Sequence, residues 1–178
     1  MKQFQSLIAA ALAVTIVFTA CTSGASDNET TAATTNTTPA TTTEVNAAEA
    51  NQRKLEENKK LVTDFLQSLL GDKDTTAIDK YIADNIIQHS PLLHDGKQGF
   101  KDDLLPYLRR PGLPKTKVDI KHIAADGDKV WLMVRDVAPN GKVFARIDIF
   151  KVENGKITEH WSVEQAEPKE SSNKNTMF

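Results

Sequence analysis

Two consecutive segments near the end of the chain carry four polar side chains that could hold or move a proton. Arg146 and Asp148 lie in the first segment, and His160 and Ser162 lie in the second. Apolar residues alternate with them, so each segment predicts a β-strand in which residues two apart share a face. An Asp that holds a His is a usable proton-transfer pair. A purely structural ion pair between Asp148 and Arg146 is the alternative that the strand pattern allows.

The turn between these two strands decides which residues face each other. A three-residue loop at 153–155 places Asp148 opposite His160, whereas a two-residue turn at Asn154 and Gly155 places it opposite Trp161. We favour the three-residue loop. It puts Arg146, Asp148, His160 and Ser162 on one face of the sheet.

Helices precede the strands along the chain. Helical spacing begins at Arg53 and ends near Gly71, a predicted C-cap. A short helix follows Thr75 or Thr76 and includes Ile82, and a third starts after Asp95-Gly96 and ends before Pro111. The period then changes to two in four segments, separated by Asp-Gly or Asn-Gly turns: 116–124, 129–137, 143–152 and 157–165. This order predicts an α+β fold, with about three helices on a curved antiparallel sheet of at least four strands. We place the domain at residues 52–166 and a tail at 167–178.

Other residues could line a ligand pocket or simply fill a core. His89 begins the loop that leads into the third helix and could point into the interior, and Trp131 and Phe150 are aromatic residues of the strands. We add these three to Arg146 and Ser162 as candidate ligand-binding residues. His89 and His94 are five apart with no third ligand nearby, so we predict no metal site.

The amino terminus has the shape of a bacterial export signal. Residues 1–20 contain one lysine and an apolar run that is too short to span a bilayer. Phe18-Thr19-Ala20-Cys21 resembles the lipobox of lipoproteins, in which the cysteine receives the lipid. Cleavage after Ala25, which would release a soluble exported protein, is the alternative. The Thr- and Ala-rich residues that follow Cys21 predict a disordered tether up to residue 51.

Composition narrows the classes of partner. The chain has 178 residues and a net charge of −2, and residues 53–166 hold 19 Lys and Arg against 18 Asp and Glu. A near-neutral domain offers no concentrated basic face for nucleic acid. Cys21 is the only cysteine, which excludes an intrachain disulfide.

Three stretches resemble one family when taken in order. They comprise residues 81–100 with Gln88-His89-Ser90-Pro91, residues 147–157, and Glu159-His160-Trp161. Together they are similar to the SnoaL-like polyketide cyclases of the nuclear transport factor 2-like superfamily. The last six residues, 173–178, also resemble the tail of a branch associated with aldol condensation.

The resemblance implies a cone of helices closed by a curved sheet, an internal pocket and a homodimer. Family cyclases use no metal or cofactor; an acidic side chain moves protons beside a carbonyl, in an apolar pocket that raises its pKa. That acid falls at Ser162 here, and a serine cannot hold a proton equilibrium near pH 7. Asp148 falls where the family places a pocket histidine.

We therefore expect an envelope lipoprotein whose domain binds a small, partly apolar carbonyl compound. If the domain is a cofactor-free lyase or isomerase, Asp148 and His160 are its catalytic residues. The alternative is a binding or dimerisation module without chemistry. Membrane attachment is expected through the lipid on Cys21 alone.

Overall fold

The structure is a computed structural model that describes residues 42–178. The predicted signal peptide, Cys21 and the first part of the tether lie outside the described residues. The elements in chain order are α1 (Thr42–Leu66) with a π-helical turn (Gln67–Gly71), α2 (Ala77–Tyr81), β1 (Ile82–Gln88), α3 (Gly96–Leu108), β2 (Asp119–Asp126), β3 (Lys129–Val137), β4 (Val143–Glu153) and β5 (Lys156–Ala166).

The five strands form one sheet in the order β1-β5-β4-β3-β2. Strands β2 to β5 are antiparallel neighbours, and β1 adds to the edge parallel to β5. Helices packed on a sheet that is mainly antiparallel confirm the predicted α+β fold. No helix among residues 42–178 is long and apolar enough to cross a membrane.

Helix α1 starts earlier than the sequence pattern predicts. Its first ten residues, 42–51, lie in the predicted disordered tether, and that prediction is wrong for them. Glu and Ala in this stretch are good helix formers, and the packed turns further along supply the nucleus that a helix needs. Residues 43–51 are exposed, and none of them belongs to the core.

Gly71 ends the π-helical turn for a reason other than a left-handed C-cap. A Cβ at this position would lie 2.6 Å from the carbonyl oxygen of Thr116, and the Thr116 amide donates to the Gly71 carbonyl over 3.0 Å. The side chain of Gln67 also bonds the Thr116 carbonyl and the Val118 amide. These contacts fix the end of α1 against the chain that enters β2.

Strand β1 was not predicted, because the sequence pattern assigns its first residue to a helix. Ile82 follows directly on Tyr81, the last residue of α2, and the strand shows no clean alternation of buried and exposed residues. Its pairing with β5 is interrupted between Ile82 and Ile87. A short edge strand with an irregular ladder carries little periodic signal.

The β4–β5 hairpin has a two-residue turn, so the favoured three-residue loop is wrong. Asn154 and Gly155 both have positive φ, 51° and 71°, and Glu153 pairs with Lys156. A bulge between Lys151 and Val152 then shifts the register by one residue. Asp148 consequently pairs with Ser162, and neither His160 nor Trp161 lies directly opposite it.

The bulge adds one residue to the two of the turn. The same side chains therefore face each side of the sheet as a three-residue loop would have given. Even-numbered residues of β4 and of the part of β5 beyond the bulge therefore share one face of the sheet. We call it the inner face, because the helices cover it. Val130, Leu132 and Val134 of β3 extend this face into the core. The opposite side is the outer face, and Met177 of the carboxyl-terminal tail lines a second cavity there together with Met133 and Ile147.

Candidate functional site

A cavity of about 170 Å³ lies between the inner face and the helices. Nine of its lining residues are apolar: Phe65, Leu66, Leu69, Leu70, Leu92, Leu93, Phe100, Leu104 and Phe150. The other five are Ser90, Arg146, Asp148, His160 and Ser162. The arrangement is typical of small-molecule sites, in which an apolar wall surrounds a few placed polar groups.

The helical wall depends on the local geometry of α1. Phe65, Leu66, Leu69 and Leu70 recur at helical spacing and turn one stripe toward the sheet. The π-helical turn at 67–71 carries the last two of these residues. Such turns occur frequently at functional sites.

The polar groups of β4 and β5 form a continuous contact chain. Arg146 donates from Nε to Asp148 Oδ2 over 2.9 Å and from Nη1 to Asp136 Oδ2 over 2.6 Å. His160 Nε2 lies 3.4 Å from the other Asp148 oxygen, Oδ1. Asp148 is thus both the partner of Arg146 and a member of the cavity wall, which joins the two alternatives that the strand pattern left open.

Asp148 is ionised in the folded protein although its side chain is only 3% exposed. Burial alone would raise the pKa of this carboxyl, but the hydrogen bond from His160 and the charge of Arg146 lower it below its ordinary value. The family resemblance implied a cavity that raises the pKa of its acid. Here the surroundings of Asp148 lower its pKa instead. In its resting state Asp148 can therefore accept a proton but holds none to donate.

Gln88 is a site residue that sequence reasoning missed. Its Oε1 lies 2.9 Å from His160 Nδ1, and its Nε2 is buried with no partner among the described residues. If the amide is rotated, Nε2 donates to Nδ1 instead. In that rotated orientation, a neutral imidazole carries its proton on Nε2, toward Asp148. Sequence reasoning used Gln88 only as part of the motif Gln88-His89-Ser90-Pro91 and gave it no role, because its strand was not recognised.

Phe150 holds the other side of the His160 ring. The two rings are stacked at 4.6 Å with an angle of 15° between them. Phe150 also packs edge to face on Phe65 of α1, at 6.0 Å. The imidazole is therefore fixed by a stacked ring, by Gln88 and by Asp148.

The structure brings together five of the seven cavity residues expected from sequence: Arg146, Asp148, Phe150, His160 and Ser162. Two others lie elsewhere, and the predictions for them are wrong. Trp131 pairs with Ile149 on the outer face. The His89 ring stacks on Trp161 at 4.3 Å and bonds Glu159 over 3.0 Å, also on the outer face. Backbone pleating explains both, since the neighbours Ser90 and Val130 face inward.

The polar side chains that line the cavity are of types that can transfer a proton or bind a polar ligand group. Within residues 42–178, no group of three or more His, Cys, Asp or Glu side chains could hold a metal ion. What the inner face provides is one carboxylate base, flanked by N–H donors of Arg146 and His160. Asp148 stands directly across the ladder from Ser162, the position at which the resemblance expects the acid.

Structural comparison first defines the class of fold. An NTF2-like protein of unknown function from Mesorhizobium loti shares 18% identity, with a TM-score of 0.53 over 63% of this chain and 93% of its own. A candidate polyketide cyclase from Acidithiobacillus ferrooxidans shares 21%, with a TM-score of 0.50 over 61% and 87%. An NTF2-like protein of unknown function from Cytophaga hutchinsonii shares 21%, with a TM-score of 0.51 over 61% and 89%.

These likenesses establish the nuclear transport factor 2-like fold. Within that fold, the chain belongs to the SnoaL-like domain family, whose model matches residues 62–160. No curated protein sequence matches the chain. The matched region runs from Val62 in α1 to His160 in β5, so it includes the helical wall of the cavity and most of its polar residues.

Proposed function

We propose that the SnoaL-like domain binds a small, partly apolar carbonyl compound in the cavity and moves a proton on it without a cofactor. One observation carries the proposal: three ionisable groups, Arg146, Asp148 and His160, contact one another at the buried end of a cavity that is otherwise apolar. Buried charges are retained at a cost in stability, and clusters of them in a cavity are candidates for function.

The proposed step begins with Asp148 as the base. Its carboxylate takes a proton from the carbon beside the ligand carbonyl, and the electron pair of that C–H bond moves onto the carbonyl oxygen as an enolate. N–H groups of Arg146 or His160 stabilise the developing negative charge. The enolate carbon then bonds to a second carbonyl carbon, and the proton on Asp148 passes to the new alkoxide. A carboxylate of modest basicity suffices when donors stabilise the oxygen in this way.

A binding module without chemistry is the second candidate function. The lowered pKa of Asp148 makes it a weak base, and both of its oxygens already contact protein groups. In this alternative the same three groups only orient the ligand. Binding and proton transfer must therefore be measured separately.

Exchange of ligand protons with solvent separates the two. The full chain in D₂O is mixed with 2-octanone or 4-phenyl-2-butanone, and loss of the proton signals beside the carbonyl is followed by NMR. We expect catalysed exchange that falls at least ~10²-fold in Asp148→Asn. Asp136→Asn is the matched control, because Asp136 also contacts Arg146 but does not line the cavity. Binding without catalysed exchange would select the binding module, and the absence of binding would contradict both candidates.

The cellular setting is also part of the proposal. Phe18-Thr19-Ala20-Cys21 at the end of a short apolar run supports export and lipid attachment at Cys21, which would place the domain in the cell envelope. Metabolic labelling with a fatty acid should mark the wild type and not Cys21→Ser. Equal labelling of both would contradict the lipid anchor.

A homodimer through the outer face completes the proposal. Trp131, Met133, Ile147 and Ile149 are only half-buried there, and Val163 beside them is 69% exposed. A sheet face with this much apolar surface favours a protein contact. Light scattering at micromolar concentration should give twice the chain mass, and Val163→Asp should shift it to the monomer. A monomeric wild type would contradict the dimer.

A further inference from the structure

The lining of the cavity includes two deeply buried ionisable side chains and one exposed leucine. Among its described lining residues, Leu92 is 75% exposed, whereas the side chains of Asp148 and His160 are 3% and 8% exposed. Leu70 and Leu104 are partly buried, between these extremes. A molecule with one polar end and an apolar tail matches this gradient when its polar end enters first and its tail ends at Leu92.

The buried end offers no unpaired positive charge. Arg146 is the only Lys or Arg among the described lining residues, and both Asp136 and Asp148 contact it. These three groups sum to a charge of −1, and a proton on His160 would bring the total only to zero. A ligand carboxylate at this end would lose its hydration beside a buried anion. A neutral carbonyl oxygen needs only an N–H donor.

We infer that the ligands are neutral amphiphiles, uncharged carbonyl compounds with an apolar tail, and that the cavity excludes the carboxylates of the same length. The inference rests on the proposed function and deepens it by naming the ligand class. We place the mouth of the cavity at Leu92, because this apolar lining residue is exposed, and a tail longer than the cavity would be accommodated there.

Three probes of equal chain length test the charge selection. Decanamide and decanoate have the same shape and differ in charge, and 2-decanone carries the carbonyl itself. Calorimetric titration of the full chain at pH 7.5 should show decanamide and 2-decanone binding at least ~10-fold more tightly than decanoate. Asp148→Asn should reduce the ratio of the affinity for decanamide to the affinity for decanoate, because this variant lacks the anion that repels decanoate.

Leu92→Ser tests the direction of entry. It should weaken the binding of 2-decanone severalfold, whereas the control Val45→Ser, at an exposed apolar position of α1 that does not line the cavity, should not. Leu92 is too exposed for this change to unfold the domain.

The outcomes separate this inference from the proposal beneath it. Equal affinity for decanoate and decanamide would overturn the selection of neutral ligands while leaving the cavity as a binding site. Equal effects of Leu92→Ser and Val45→Ser would overturn the direction of entry. If 4-phenyl-2-butanone binds and none of the three ten-carbon probes does, the ligand class is wrong; if no ketone binds, the proposed function fails as well.

Discussion

The two faces of the central sheet use the same strands for opposite purposes. On the inner face, Asp148 and His160 are buried in a cavity whose walls are apolar. On the outer face, Glu159 and Lys151 form an ion pair at 3.0 Å beside the His89–Trp161 stack, partly open to solvent. Residues one apart in sequence thus differ in hydration, and hence in how strongly their charges interact.

Burial, and not residue type, distinguishes the polar groups that could take part in chemistry from those that are structural. Both faces hold a His next to a carboxylate: His160 with Asp148 inside, and His89 with Glu159 outside. Of these two pairs, the inner one lines the cavity between the sheet and the helices. The outer pair anchors the start of the loop whose next residue, Ser90, faces inward.

The largest difference between the faces should appear in Phe150 and its neighbour Ile149. Phe150→Ala removes a buried ring that packs on Phe65 and His160, and should cost about 3–5 kcal/mol of unfolding free energy. Ile149→Ala on the half-buried outer face should cost less than half as much in the monomer. Chemical denaturation of both variants checks this. Equal costs would mean that the outer face is as tightly packed as the inner one.

The next effect concerns the charge of Arg146. Arg146→Met leaves the buried Asp148 carboxylate without its cation and should destabilise the fold by about 3 kcal/mol at pH 7. Arg135→Met, on the outer face of the neighbouring strand, is the matched control and should cost less than ~1 kcal/mol.

The pH dependence of these variants follows from the direction of the Asp148 shift. Folding lowers the pKa of Asp148, so its stabilising contribution is complete above the ordinary value of 3.8 and is lost as the pH falls through the lower pKa of the folded state. Arg146→Met no longer has the guanidinium that lowers this pKa. Its cost should therefore shrink on acidification, as Asp148 takes up a proton. A cost independent of pH from 7 to 3.5 would show that Arg146 acts only by packing.

The smallest effect is expected from the outer histidine. His89→Gln removes the stack on Trp161 and weakens the contact with Glu159, and should cost about 1 kcal/mol or less, because the His89 side chain is 37% exposed. Thermal unfolding measures this. A cost equal to that of Phe150→Ala would contradict the distinction between the faces.

The sequence pattern predicts most of the sheet correctly for a simple reason. Strands β3 and β4 alternate buried and half-exposed residues, and Gly turns separate them, so both period and boundaries are visible. The shared face of Asp148 and His160 was also predictable. Side chains alternate along a strand, so a shift of the pairing by an even number of residues leaves them on the same face.

The register itself was not predictable, because two local features offset each other. The turn at Asn154 and Gly155 has two residues, and the bulge near Val152 adds the third. A bulge has no reliable sequence signature. The inward placement of His89 failed for a related reason: the sequence does not show that β1 joins β5 and turns Ser90 inward and His89 outward.

Aromatic side chains on the two faces of the sheet allow the most direct test of where the ligand binds. The two tryptophans of the chain, Trp131 and Trp161, lie on the outer face, and the His160 ring lies on the inner face. Titration of the ¹⁵N-labelled chain with 2-decanone should shift the His160 ring signals and leave both indole N–H signals in place. Shifts of the indole signals with an unchanged His160 would contradict the account, because the ligand would then bind the outer face.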